Sequence, residues 1–171
     1  MSWEAIGAIG ETLGAIAVVV SLLYLAAQIR QNSRTVKGAS TQSITETIQA
    51  ELRWSCDLGE EFIRMIDEPE KLSKVEAFRI GEWLTAAMVA RQNEYIQYKQ
   101  GLVDEEVWIS NEGIIKSIMS MPWCKNWWHN FDKAAFISDF VQLADSIAEK
   151  PDTFDYKEYL EKIHEHRAND T

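Results

Sequence analysis

One stretch near the N-terminus narrows the possible folds more than any other feature. From Ala5 to Ala27 the chain reads AIGAIGETLGAIAVVVSLLYLAA, 23 residues with a single charge at Glu11. As a helix rising about 1.5 Å per residue it reaches about 34 Å, enough to cross a bilayer's hydrocarbon. A stricter register, Leu13 to Ile29, carries no charge and sets Glu11 at the outer interface instead of in lipid. Two other readings fit less well. A cleaved signal peptide opens on a basic region, whereas this start has no Lys or Arg and carries Glu4. The core helix of a soluble protein seldom stays apolar on every face for so long.

Charge asymmetry orients the segment. No Lys or Arg precedes it, while Arg30, Arg34 and Lys37 follow directly. The positive-inside rule then puts the N-terminus outside and the C-terminal domain in the cytoplasm. Trp3 stands where an outer aromatic anchor is expected, and Tyr24 suits the inner side.

Stepping along the segment by alternating three and four residues meets Gly7, Gly10, Gly14, Ala17, Ser21, Tyr24 and Gln28, all small or polar. Such steps stay on one helix face, and Gly10 to Gly14 is a GxxxG, so another backbone can approach closely there. Ile6, Ile9, Leu13, Ile16, Val18, Val19, Val20, Leu22, Leu23 and Leu25 occupy the other faces, as lipid contact requires. The chain offers no second membrane helix to receive the stripe. The expected contact residues are Gly7, Gly10, Gly14, Ala17, Ser21 and Gln28, and the expected partner is another copy, giving a homo-oligomer in the lipid bilayer. The bland alternative is an ordinary anchor in which Gly and Ala are simply common. Glu11 adjoins the stripe and is a possible intramembrane acid.

Of 171 residues, all 17 Lys and Arg follow Gln28, together with all but two of the 27 acids, for a chain net charge of -10. An acidic domain without a basic stripe repels phosphate backbones, so no nucleic acid partner is expected. Cys56 and Cys124 have no CxxC or Cys/His spacing, and both read as free thiols used as small buried apolar residues.

The expected fold is all-α: one N-terminal transmembrane helix over residues 1–30, a connector or helix extension over 31–40, a small helical cytoplasmic domain over 41–150 and a charged, frayed tail over 151–171. Within the domain a helix is expected from Thr41 to Cys56, with a break at Asp57 to Gly59. A short helix from Glu60 to Asp67 then ends at Glu68-Pro69. Ser73 with Glu76 is a capping box for a long central helix that stops at Gly101. Its inward stripe reads Ala77, Gly81, Leu84, Met88, Arg91, Tyr95, Tyr98 and Leu102. Arg91 is the odd member, and Glu94 or an acid on another helix should pair with it. Asp104 caps a further helix that Pro122 ends. The segment PWCKNWWHNFDKAAF concentrates Trp123, Trp127, Trp128, Phe131 and Phe136, read chiefly as core. A last helix is expected from Ala135 to Glu149, stopped by Lys150-Pro151.

The opening WEAIGAIGETLGAIAVVVSLLYLAAQIRQN resembles that of a widespread group of uncharacterised bacterial single-pass membrane proteins, whose N-terminal helix ends in a QIRQN-type boundary. The segment NEYIQYKQGLVDEEVW, Asn93 to Trp108, and the pair Trp127-Trp128 extend the resemblance. It implies a bacterial membrane anchor and a helical domain, and it brings no activity with it.

Chemical motifs are scarce. There is no P-loop, GxGxxG, GxSxG or HExxH. His129 with Asp132, five residues past Cys124, is short of a third metal ligand, and His164 and His166 are two apart, on different faces of a helix. No catalytic residue, metal site or cofactor is therefore implied. The leading expectation is a membrane-anchored, self-associating helical protein with a binding or scaffolding role at the inner membrane face. A homo-oligomeric channel lined by Glu11, Ser21 and Gln28 is the alternative, and an enzyme assembled from distant residues such as Arg91, Glu94, His129 and Asp132 is the third.

Overall fold

The computed structural model describes residues 3–150 and 154–169. They fold as all-α, with seven helices joined by turns and no strand among the described residues: α1 (Trp3–Asp57), α2 (Gly59–Asp67), α3 (Lys74–Lys99), α4 (Glu105–Met119), α5 (Pro122–Asn130), α6 (Ser138–Ala148) and α7 (Tyr156–Asn169). Two 3-10 turns lie at Pro69–Lys71 and Lys133–Ala135. Pro151, together with the side chains of Ile6, Ile9 and His166, lies outside the described residues.

The chain divides into two compact units, Met1–Ser40 and Thr41–Thr171. In the first, residues 31–40 continue the helix. Its apolar stretch has no residue buried within the protein and is long and apolar enough to cross a membrane. Its hydroxyls turn back on their own backbone: Thr12 donates to the Ala8 carbonyl and Ser21 to that of Ala17, both at 2.8 Å. Ser33 and Thr35 do the same one turn back, at 3.0 and 3.1 Å. Each of these four hydroxyl donors is thereby satisfied within the helix.

The second unit covers itself. Ser73 accepts from the Glu76 N–H and Glu76 from the Ser73 N–H, closing the expected box at the start of α3. Gly101, at φ +71°, supplies the left-handed residue that ends α3 and turns the chain into α4. Tyr98 stacks on Trp108 at 5.5 Å across this hairpin. One cluster joins Ile44 and Met88 to Trp108, Ile115, Trp128 and Phe140; the other joins Met65, Ile80 and Leu84 to Ile118, Met121 and Cys124.

Several expectations shift. On α3, Leu84, Met88 and Arg91 are buried as read, but Ile80, Ala87 and Glu94 are buried too, while Ala77, Gly81, Tyr95, Tyr98 and Leu102 are half-buried. Neighbours on two sides widen the buried face beyond a single stripe. Pro122 opens α5 instead of ending α4, because its fixed φ and missing N–H suit a first helical turn. The last predicted helix starts at Ser138, not Ala135, since the Asp132 carboxylate accepts the Ala134 N–H and draws that segment into a 3-10 turn. The charged tail is helical from Tyr156. Asp155 accepts from the N–H groups of Lys157 and Glu158 at 2.9 and 3.2 Å, an N-cap that the reading missed.

Candidate functional site

Three places carry the functional argument, and the first is the small-residue stripe of α1. Gly7, Gly10, Gly14, Ala17, Ser21 and Gln28 are all exposed, and a Cβ built on any of the three glycines meets nothing within 4 Å. Glu11 beside them is exposed as well. The stripe is an open surface on its own helix.

The second lies inside the Thr41–Thr171 unit. Ile44, Ile48, Glu51 and Ser55 recur at helical spacing on the later part of α1, so this face carries one carboxylate. The facing stripe of α3 carries one guanidinium. Arg91 is fully buried, and its Nη2 lies 3.1 Å from Glu51 Oε2 and 2.7 Å from Glu94 Oε1. The approach to Glu94 is close yet poorly aligned for a hydrogen bond. Arg91 Nε and Nη1 and both Glu94 oxygens have no hydrogen-bond partner among the described residues. Asn111, about one turn past Trp108 on α4, is buried as well. Its Nδ2 is likewise unpartnered.

Two carboxylates against one guanidinium leave the cluster with an excess negative charge when both are ionised, and burial makes that charge costly. Burial pushes the Glu94 carboxyl up to about 7; Arg91 pulls against that and Glu51 adds to it. Burial also raises Glu51 above its ordinary value, opposed by Arg91.

The third place is a cavity of about 670 Å³ in the same unit, lined from residues 48–55 of α1 and from α2, α3, α4 and α7. Its walls are mostly apolar: Ile48, Leu52, Phe62, Ile114, Ile118 and Leu160 contribute. Trp83 and Phe62 meet edge-to-face at 4.9 Å, and the Trp83 Nε1–H donates to the Glu51 carbonyl at 3.3 Å. Glu51 is thus both a partner of buried Arg91 and the one ionisable carboxylate in the cavity wall. Volume and lining are those of a small-molecule site. The sequence reading missed this role, although the spacing Ile44, Ile48, Glu51 was visible.

The remaining candidates scatter. His129 is exposed on α5, and Asp132 caps the following 3-10 turn, so the two share no helix. Arg91 and Glu94 are buried on α3, away from the exposed positions of both. None of these four groups lines the cavity described above. Among the described residues no group of three or more His, Cys, Asp or Glu is arranged to hold a metal ion. Cys124 is buried, and burial pushes its thiol up to about 12, but Cys56 is exposed, against expectation. Cys56 follows Ser55 on the inward face by one residue, and that step of about 100° carries it outward.

No protein-family model, curated protein or solved structure matches the chain.

Proposed function

We propose that this is a bacterial inner-membrane protein, held by the N-terminal part of α1 with its N-terminus outside, that self-associates along the Gly7 to Gln28 stripe. Its helical domain then has a binding role at the cytoplasmic face. The observation that carries this reading is the contrast in burial: the apolar stretch of α1 has no residue covered by the chain, whereas the domain encloses its own core. Uncovered apolar helix needs lipid or another helix.

Self-association draws support from the open Cβ positions of Gly10 and Gly14, which let a second helix approach closely. The Ser21 hydroxyl is bonded within its own helix, so the stripe suits a dry contact better than an aqueous lining. That favours packing over the pore reading. The cavity supplies the domain with a place to bind a small molecule. Light scattering of detergent-solubilised protein tests the association. An oligomer is expected, with Gly10→Ile plus Gly14→Ile shifting the mass toward monomer. A strictly monomeric wild type overturns it.

A further inference from the structure

We propose that the cavity beside Glu51 binds small amphiphiles made of an apolar body and a cationic amine head, and this rests on the binding role assigned above. Three features of the cavity select that chemistry. Its walls are aliphatic and aromatic over most of their area, which suits an apolar body. Among the described residues that line it, Glu51 carries the one carboxylate. Trp83, whose Nε1–H donates to the Glu51 backbone carbonyl, and Phe62 stand in the same wall, and aromatic rings in a cavity that also carries a carboxylate favour an ammonium over a neutral donor.

The charge behind Glu51 points the same way. Arg91 is shared between Glu51 and Glu94, so with both carboxylates ionised the buried cluster is one positive charge short of balance. An ammonium at Glu51 completes it, and a carboxylate there adds a second excess charge. Among the described residues no Lys or Arg lines this cavity to compete for Glu51. In the α4 wall Gly113 leaves open space about its Cβ position.

A matched set of three probes tests the charge: 4-phenylbutylamine, 4-phenylbutanol and 4-phenylbutanoate, titrated by calorimetry into the full chain in non-ionic detergent. The amine is expected to bind at least about tenfold more tightly than the alcohol, and the carboxylate most weakly, the scale of one buried charge pair. Glu51→Gln should cost the amine about tenfold while leaving the alcohol unchanged. A thermal melt of the variant separates loss of the charge from loss of the fold. Gly113→Leu, which fills the cavity from α4, should weaken all three. Equal binding of the three probes overturns the cationic assignment and leaves a binding role standing. Binding of none overturns the cavity as a ligand site and, with it, that role. Amine binding unchanged in Gly113→Leu places the ligand elsewhere and also overturns the proposal.

Discussion

The two units of this chain satisfy the same physical requirements in opposite ways. In the apolar stretch of the first unit, the Thr12 and Ser21 hydroxyls are bonded within a single helix and no residue of the stretch is buried. In Thr41–Thr171, apolar side chains face one another across several helices, and the polar groups that enter the core come in a charged set. The first unit is a helix by local bonding whose apolar stretch the chain leaves uncovered; the second is a fold by tertiary packing. Substitutions should therefore behave differently in the two. Those in the first should change what the protein associates with, and those in the second should change whether the domain holds together.

The largest expected effect is at Trp128, which is fully buried between α5 and α6, with its Nε1–H donating to Asp145 at 2.9 Å. Trp128→Ala should destabilise the domain by about 3–5 kcal/mol in denaturant unfolding, whereas Leu23→Ala in the apolar stretch should leave domain unfolding unchanged. Equal effects would erase the distinction between the units.

Arg91→Leu comes next. It strands two carboxylates in the interior and should cost about 3 kcal/mol or more. Adding Glu94→Gln to it should recover part of the loss, because one stranded charge goes with it. A double variant no better than the single one would mean that the two groups are not coupled.

The pH dependence should be smaller and of unusual sign. A carboxyl held at about 7 in the folded state, well above its ordinary value, binds more protons folded than unfolded. The stability it contributes is fully present below its unfolded value, and it is lost as pH rises through about 7. Glu51 shifts in the same direction. The domain should therefore melt at a lower temperature near pH 8 than near about pH 5.5, and Glu94→Gln should flatten the difference. A melting temperature that rises steadily between those two values contradicts the assignment.

The smallest effect belongs to the capping box. Ser73→Ala should cost about 1 kcal/mol, since it leaves an α3 N–H without its side-chain acceptor. It should alter neither membrane binding nor oligomer mass.

How far the fold was legible from sequence follows the same divide. The apolar stretch of α1, the Ser73 box and the Gly101 stop all rest on interactions within a few residues, and all could be read directly. Arg91 announced itself as a charge on an apolar stripe, and Glu94 was within reach of it on the same helix. Glu51 did not, because its place beside Arg91 depends on how α1 packs on α3, which no local pattern encodes. The cavity escaped for the same reason: it is a gap among five helices, and no residue in its wall is unusual alone. The helix α7 was hidden by its charge. Asp155 and half-buried Tyr156 hold its start, while the rest of the sequence resembles a solvated tail.

The central claim is that the N-terminal part of α1 lies in a membrane. Flotation of the full-length protein with vesicles of anionic and zwitterionic phospholipid tests it most directly, with an alkaline carbonate wash to strip peripheral proteins. Full-length protein is expected to float with the lipid and resist the wash, while a chain beginning at Thr41 stays at the bottom, folded. Full-length protein that remains soluble, or that the wash releases, contradicts the claim.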